Sequence, residues 1–151
     1  MSIRTLPHAL YIEAIETALA EAKMTPDEVD VRDSEACGAT PFLDAVITLT
    51  PEASGIPDRF EHGLILVWEY HDGHEDGCLN EGPSWQWARL NDDGSNTVPE
   101  PLPVPGFVAP AMLAGAVATL VHTGTATPMT SEWHDHKLGP VQAAIEDWAR
   151  E

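Results

Sequence analysis

Positive charge is nearly missing from this chain. Seven lysines and arginines stand against 25 aspartates and glutamates in 151 residues, a formal net charge of −18. The cations (Arg4, Lys23, Arg32, Arg59, Arg89, Lys137 and Arg150) are scattered singly. Nucleic acid and anionic lipid both need clustered cations to displace counterions, so direct binding to either is not expected. Cysteine is also scarce. Cys37 and Cys78 form no CxxC pair, and two free thiols in a reducing cytoplasm are the expectation. Long apolar runs are missing as well. The charge-free stretch between Glu100 and Glu132 is interrupted by Pro103, Pro105, Pro110, Gly115, Gly124 and Pro128. Its apolar part, residues 109–121, is too short to span a bilayer. The opening MSIRTLPHAL carries no secretory signal. A soluble, cytoplasmic protein without a membrane partner is expected. Catalytic signatures are missing too: the chain has no G-x-S-x-G, no Gly-rich phosphate loop and no H-E-x-x-H. The expectation is a non-enzyme without a cofactor.

What is present argues for a packed body. The chain is 43% hydrophobic and holds five tryptophans, a composition that disordered acidic segments do not have. Its length fits one domain, residues 1–151, burying roughly 70% of the unfolded surface.

Residues 7–23 have helical periodicity, with Leu10, Ala14, Ala18 and Ala22 at fourfold spacing and Tyr11, Ile15 and Leu19 alongside. Thr25 with Glu28 has the form of a capping box, but residues 29–33 alternate with period two. A helical turn entering a short extended piece is the compromise. Residues 42–50 read as a strand with Leu43, Ala45, Ile47 and Leu49 on one face. Residues 51–61 read as a loop. Residues 63–70 are apolar on both faces and read as the central strand. Residues 84–90 read as a third strand with Trp85, Trp87 and Arg89 on one face. A long loop, residues 71–83, joins the last two strands. The alternate prolines Pro99, Pro101, Pro103 and Pro105 prevent helix. Residues 110–122, from Pro110 to His122, form an uncharged helix that is either buried all round or part of a homodimer interface. Residues 140–151 are a last helix, with Val141, Ala144, Ile145 and Trp148 on one face. The expected class is α+β in two layers: an N-terminal helix, a three-stranded antiparallel sheet and two C-terminal helices.

Three features carry candidate chemistry. The loop holding His71, His74 and Cys78, with His134 and His136 nearby if the C-terminal loop folds over, could ligate a zinc- or nickel-type ion. No ligand pair there matches a zinc frame, and a solvated acidic loop that protects a sheet edge accounts for it equally. The acidic residues Glu69, Asp72, Glu75, Asp76 and Glu81 occur with no lysine or arginine between Arg59 and Arg89. They read as a solvated face or as a patch that steers a basic partner. Carboxylates can also imitate a phosphate backbone, so a nucleic-acid-mimicking inhibitor is a further reading. Trp85 and Trp87 are either partner anchors or core. The core reading is favoured, since each tryptophan buries on the order of 200 Å².

The strand Gly63-Leu-Ile-Leu-Val-Trp-Glu-Tyr-His-Asp-Gly, the strand Ser84-Trp-Gln-Trp-Ala-Arg-Leu and the link Val104-Pro-Gly-Phe-Val-Ala-Pro resemble a family of small uncharacterised actinobacterial proteins with a G-L-x-L-x-W-[DE] strand. The resemblance covers the middle third and the following helix. This chain departs from it by an acidic loop between the two Trp strands. With no assigned activity, the family implies provenance rather than mechanism. In composition and element order the chain is also similar to small acidic secretion-type chaperones. The expected function is a non-enzymatic acidic module that binds a protein with a basic surface and sequesters, inhibits or chaperones it.

Overall fold

The computed structural model describes residues 8–37, 40–70, 84–104, 106–125 and 128, with backbone alone over 33–37 and 40–43. The N-terminal helix forms as α1, Ala9–Glu21. Its buried face is Tyr11, Ile12, Ile15 and Leu19, while Leu10 is 60% exposed. The alanine stripe loses because each large side chain gains about 1.5–3 kcal/mol on burial and alanine far less.

The expectation of three strands is corrected. The sheet has five, all antiparallel and in sequence order: β1 Glu28–Cys37, β2 Thr40–Leu49, β3 Leu64–Tyr70, β4 Ser84–Arg89 and β5 Glu100–Pro101. The would-be capping box opens β1 instead: Asp27 N–H donates to Thr48 O at 2.8 Å, and Glu28 pairs with Thr48. A neighbouring strand offers the backbone a full ladder, which outweighs one local cap. β5 was hidden by its prolines. Pro101 has no N–H to give, which an edge strand tolerates, and Leu102 N–H continues the pairing to Trp85 O at 3.0 Å. β3 is the middle strand, as its composition predicts.

The segment 51–61 is more ordered than a plain loop. It holds α2, Pro51–Ser54, and a 3₁₀ turn, Asp58–Phe60. Thr50 Oγ1 caps α2 by accepting from Ala53 N–H at 3.1 Å. α3 spans Pro110–Thr123 and ends at Gly124, whose φ of 86° only glycine adopts freely. The predicted helix over 140–151 lies outside the described residues.

α1 and α3 pack on each other and on one face of the sheet. That face supplies Ala45, Ile47, Leu49, Leu64, Leu66, Trp68 and Trp85 to the core. Aromatic rings fill its centre: Tyr11 lies 5.4 Å from Phe107 and 6.0 Å from Trp68, both edge-on. Two of these rings also hold the link before α3. Tyr11 Oη donates to Val108 O and Trp68 Nε1 to Gly106 O, each at 2.8 Å. The opposite sheet face carries half-buried Val46, Ile65 and Val67 with polar Asp30, Arg32, Glu69 and Gln86.

Candidate functional site

Glu69, Trp85 and Trp87 lie among the described residues. Asp72, Glu75, Asp76, Glu81, His71, His74, Cys78, His134 and His136 lie outside them. Glu69 stands one residue from the end of β3 on the outer sheet face, half-buried, and its carboxylate accepts from Gln86 Nε2. The chain from there runs into the acidic sequence 71–83.

The two tryptophans have different environments. Trp85 sits opposite Trp68, is 2% exposed, and donates Nε1–H to Tyr11 Oη at 3.3 Å. It is a core residue and offers a partner almost no surface. Burial of Tyr11 pushes its phenol up, out of reach of physiological titration; the bond from Trp85 opposes this more weakly. Trp87 is half-buried, edge-on to Phe60 at 6.2 Å, and reaches the wall of an open cleft of ≈ 450 Å³. Glu100, Pro101, Pro103 and Leu120 line the same cleft. The uncharged helix is explained mainly by burial: Leu113, Ala114, Ala116, Val117, Leu120 and Val121 all face inward, leaving Ala111, Met112 and His122 exposed.

The described cations are distributed unevenly. Arg32 grips Asp44 across the β1–β2 pair, Nε to Oδ1 at 3.1 Å and Nη2 to Oδ2 at 2.8 Å, and its Nη1 lies 3.8 Å from Asp30. Asp44, chiefly through that bond, holds the guanidinium above its ordinary value. Arg89 donates to Arg59 O at 2.6 Å and lies 4.6 Å over the Phe60 ring. Lys23, Arg59 and Arg89 therefore flank the sheet end where β3 starts and β4 stops, the end opposite Glu69. Among the described residues every ion pair to a lysine or arginine belongs to Arg32. The exposed carboxylates of Glu13, Glu16, Glu21, Asp58, Glu61 and Asp92 have no such pair with a described residue. Asp93 is held instead by the Ser95 hydroxyl and N–H, at 2.6 and 2.9 Å, which keep its carboxyl below the usual range.

The Arg32–Asp44 pair escaped the sequence reading. Its only signal was opposite charge in two strands, which means nothing until their register is known. His8 was missed for a similar reason: it is buried, stacks on Trp68 at 5.3 Å, and donates Nε2–H to Asp44 O at 2.8 Å. Among the described residues no group of three or more His, Cys, Asp or Glu side chains is placed to hold a metal ion. Nor is any described helix long and apolar enough to cross a membrane. No protein-family model, curated protein or solved structure matches this chain.

Proposed function

We propose that this is a non-enzymatic binding module whose acidic residues, Glu69 and those of the sequence 71–83, recognise a protein with a basic surface that the module sequesters, inhibits or chaperones. One observation carries the reading. Apart from Asp30 and Asp44, the carboxylates among the described side chains have no ion pair to a lysine or arginine, and three of the four described cations gather at the sheet end away from Glu69. No lysine or arginine stands between Arg59 and Arg89 in the sequence to compensate Glu69 and the acidic residues after it, and carboxylates of one sign steer an oppositely charged partner and speed encounter about 10- to 1000-fold at low salt. Of Trp85 and Trp87, it is Trp87, at the cleft wall, that has surface to contribute.

Tagged protein is used to capture partners from native lysate at low and at raised salt, with mass spectrometry as readout. Neutralising Glu75, Asp76 and Glu81 to their amides should abolish the salt-sensitive capture. Neutralising Asp58, Glu61 and Asp92, at the sheet end away from Glu69, removes the same charge and should leave most of it. Equal losses from the two triples, or capture indifferent to salt, would contradict the reading.

A further inference from the structure

β1 is an outer strand, and its open edge pairs with nothing among the described residues. The ladder fixes which of its backbone groups point outward. Leu90 N–H donates to Gly63 O at 2.9 Å, so Gly63 and Leu90 form a hydrogen-bonded pair. Such pairs recur at every second residue in an antiparallel ladder. The odd residues of β3 therefore bond to β4 and the even ones to β2. Through the pairs Leu64–Leu49, Leu66–Ile47 and Trp68–Ala45, the even residues of β2 are left to bond β1. Their partners are Glu28, Asp30 and Arg32. Val29, Val31 and position 33 consequently turn their N–H and C=O groups to the open edge.

The side chains beside that edge are of opposite sign, two residues apart. Asp30 and Arg32 are both on the outer sheet face, 55% and 49% exposed. Arg32 uses Nε and Nη2 on Asp44 at short range, while its Nη1 holds Asp30 of the same chain only loosely, at 3.8 Å, so both charges stay at the edge.

We infer that a second copy of this chain pairs with this edge, β1 antiparallel to β1, about a two-fold axis at Val31. Val31 then exchanges both backbone bonds with Val31 of the second copy, and Val29 bonds with position 33. In that register Asp30 of each copy stands opposite Arg32 of the other, and Glu28 opposite the uncharged position 34. An odd offset would match outward groups with inward ones. The neighbouring even offsets set Asp30 against Asp30, with Glu28 opposite Arg32, or Arg32 against Arg32, and like charges directly opposite are destabilising. Of these three registers only the one about Val31 keeps the backbone phase with opposite charges facing and no like charges facing, the self-complementarity an isologous interface requires. The pairing stands independently of the proposed basic partner, and salt separates the two. Two chains of −18 each repel, so raised salt should help this association where it weakens the other.

Sedimentation equilibrium of the full chain tests it. A strand pair is small beside a standard interface of about 1,600 Å², so the series should extend to about 0.5 mM. A monomer–dimer equilibrium is expected. Asp30→Lys should raise its dissociation constant on the order of tenfold or more, because two attractive pairs become two repulsive ones. It does so although it lowers the net charge. Asp92→Lys makes the same charge change away from β1 and should not weaken the dimer. Val31→Pro removes the outward N–H while leaving the β1–β2 ladder bonds in place, and should abolish the dimer with the circular dichroism retained. Should that variant misfold, Asp30→Lys decides. A monomer at the highest concentration, or a dimer that withstands Asp30→Lys, overturns the inference. So does a monomer that takes up a synthetic Lys/Val extended peptide on this edge.

Discussion

Arg32 and Asp44 face each other across β1 and β2 in a two-pronged ion pair, although one guanidinium half is open to solvent and the carboxylate is not. The Asp44 side chain is 12% exposed against 49% for Arg32. The same residue's carbonyl accepts from buried His8, so the pair ties β1, β2 and the start of α1 to one point.

Arg32→Ala should destabilise the fold by about 1–2 kcal/mol, between the small worth of an exposed pair and the larger cost of stranding a buried charge. Arg32→Lys keeps the charge but loses the fork and should recover only part. Urea unfolding midpoints measure both. A midpoint unchanged in Arg32→Ala would show the pair to be ornamental.

Tyr11 gives a prediction in alkali. In the unfolded chain the phenol ionises near 10.0, and burial pushes it higher in the folded protein. Below pH 10 neither state is ionised and the contribution of Tyr11 is complete. Above it the unfolded state releases its proton first, so stability falls by up to about 1.4 kcal/mol per pH unit until the folded phenol ionises too. Tyr11→Phe should lack that part of the slope. At neutral pH it should cost about 1–2 kcal/mol, because the Val108 carbonyl loses its donor and the Trp85 indole its acceptor. Unfolding curves of both proteins between about pH 8 and 11, compared pairwise, would expose identical slopes as a failure.

Among the described positive-φ glycines, Gly63 is the least open to substitution. Its φ is +96°, and a Cβ there would lie 2.5 Å from Leu49 O and 3.2 Å from Thr50 Cγ2. The nearest obstacle is backbone of the adjacent strand, which cannot swing aside. Gly63→Ala should cost about 2–4 kcal/mol, combining left-handed strain with the clash. Gly94→Ala has the same sign of φ with nothing within 4 Å and should cost about 1 kcal/mol. Thermal midpoints of the two variants rank them, and equal values would remove the steric argument.

The parts of the fold visible in sequence were those whose large apolar residues announced their own period. β3 and β4 were read correctly because Leu64, Leu66 and Trp68, and Trp85 and Trp87, repeat at two. β1 was obscured because its apolar pair, Val29 and Val31, is small and its alternate residues are charged. β5 is two residues long and is created by the pairing it makes with β4. In α1 the period was right and Tyr11, Ile15 and Leu19 are buried as read, but the stripe is turned so that Ile12 is buried and Leu10 exposed, since spacing alone does not weigh alanine against isoleucine. Within the candidate site, charge excess was legible and charge placement was not. Which carboxylates keep a cation depends on register, and register is a property of two strands together.

The bonds from Tyr11 and Trp68 to the link before α3 have a kinetic consequence. The first helix and the middle strand hold the same stretch of chain, so lifting α1 away releases residues 106–108 and loosens the seat of α3. Among the described elements α1 is therefore not separately detachable: amide protons in α1, β3 and α3 should be released to solvent in one shared opening event rather than one element at a time.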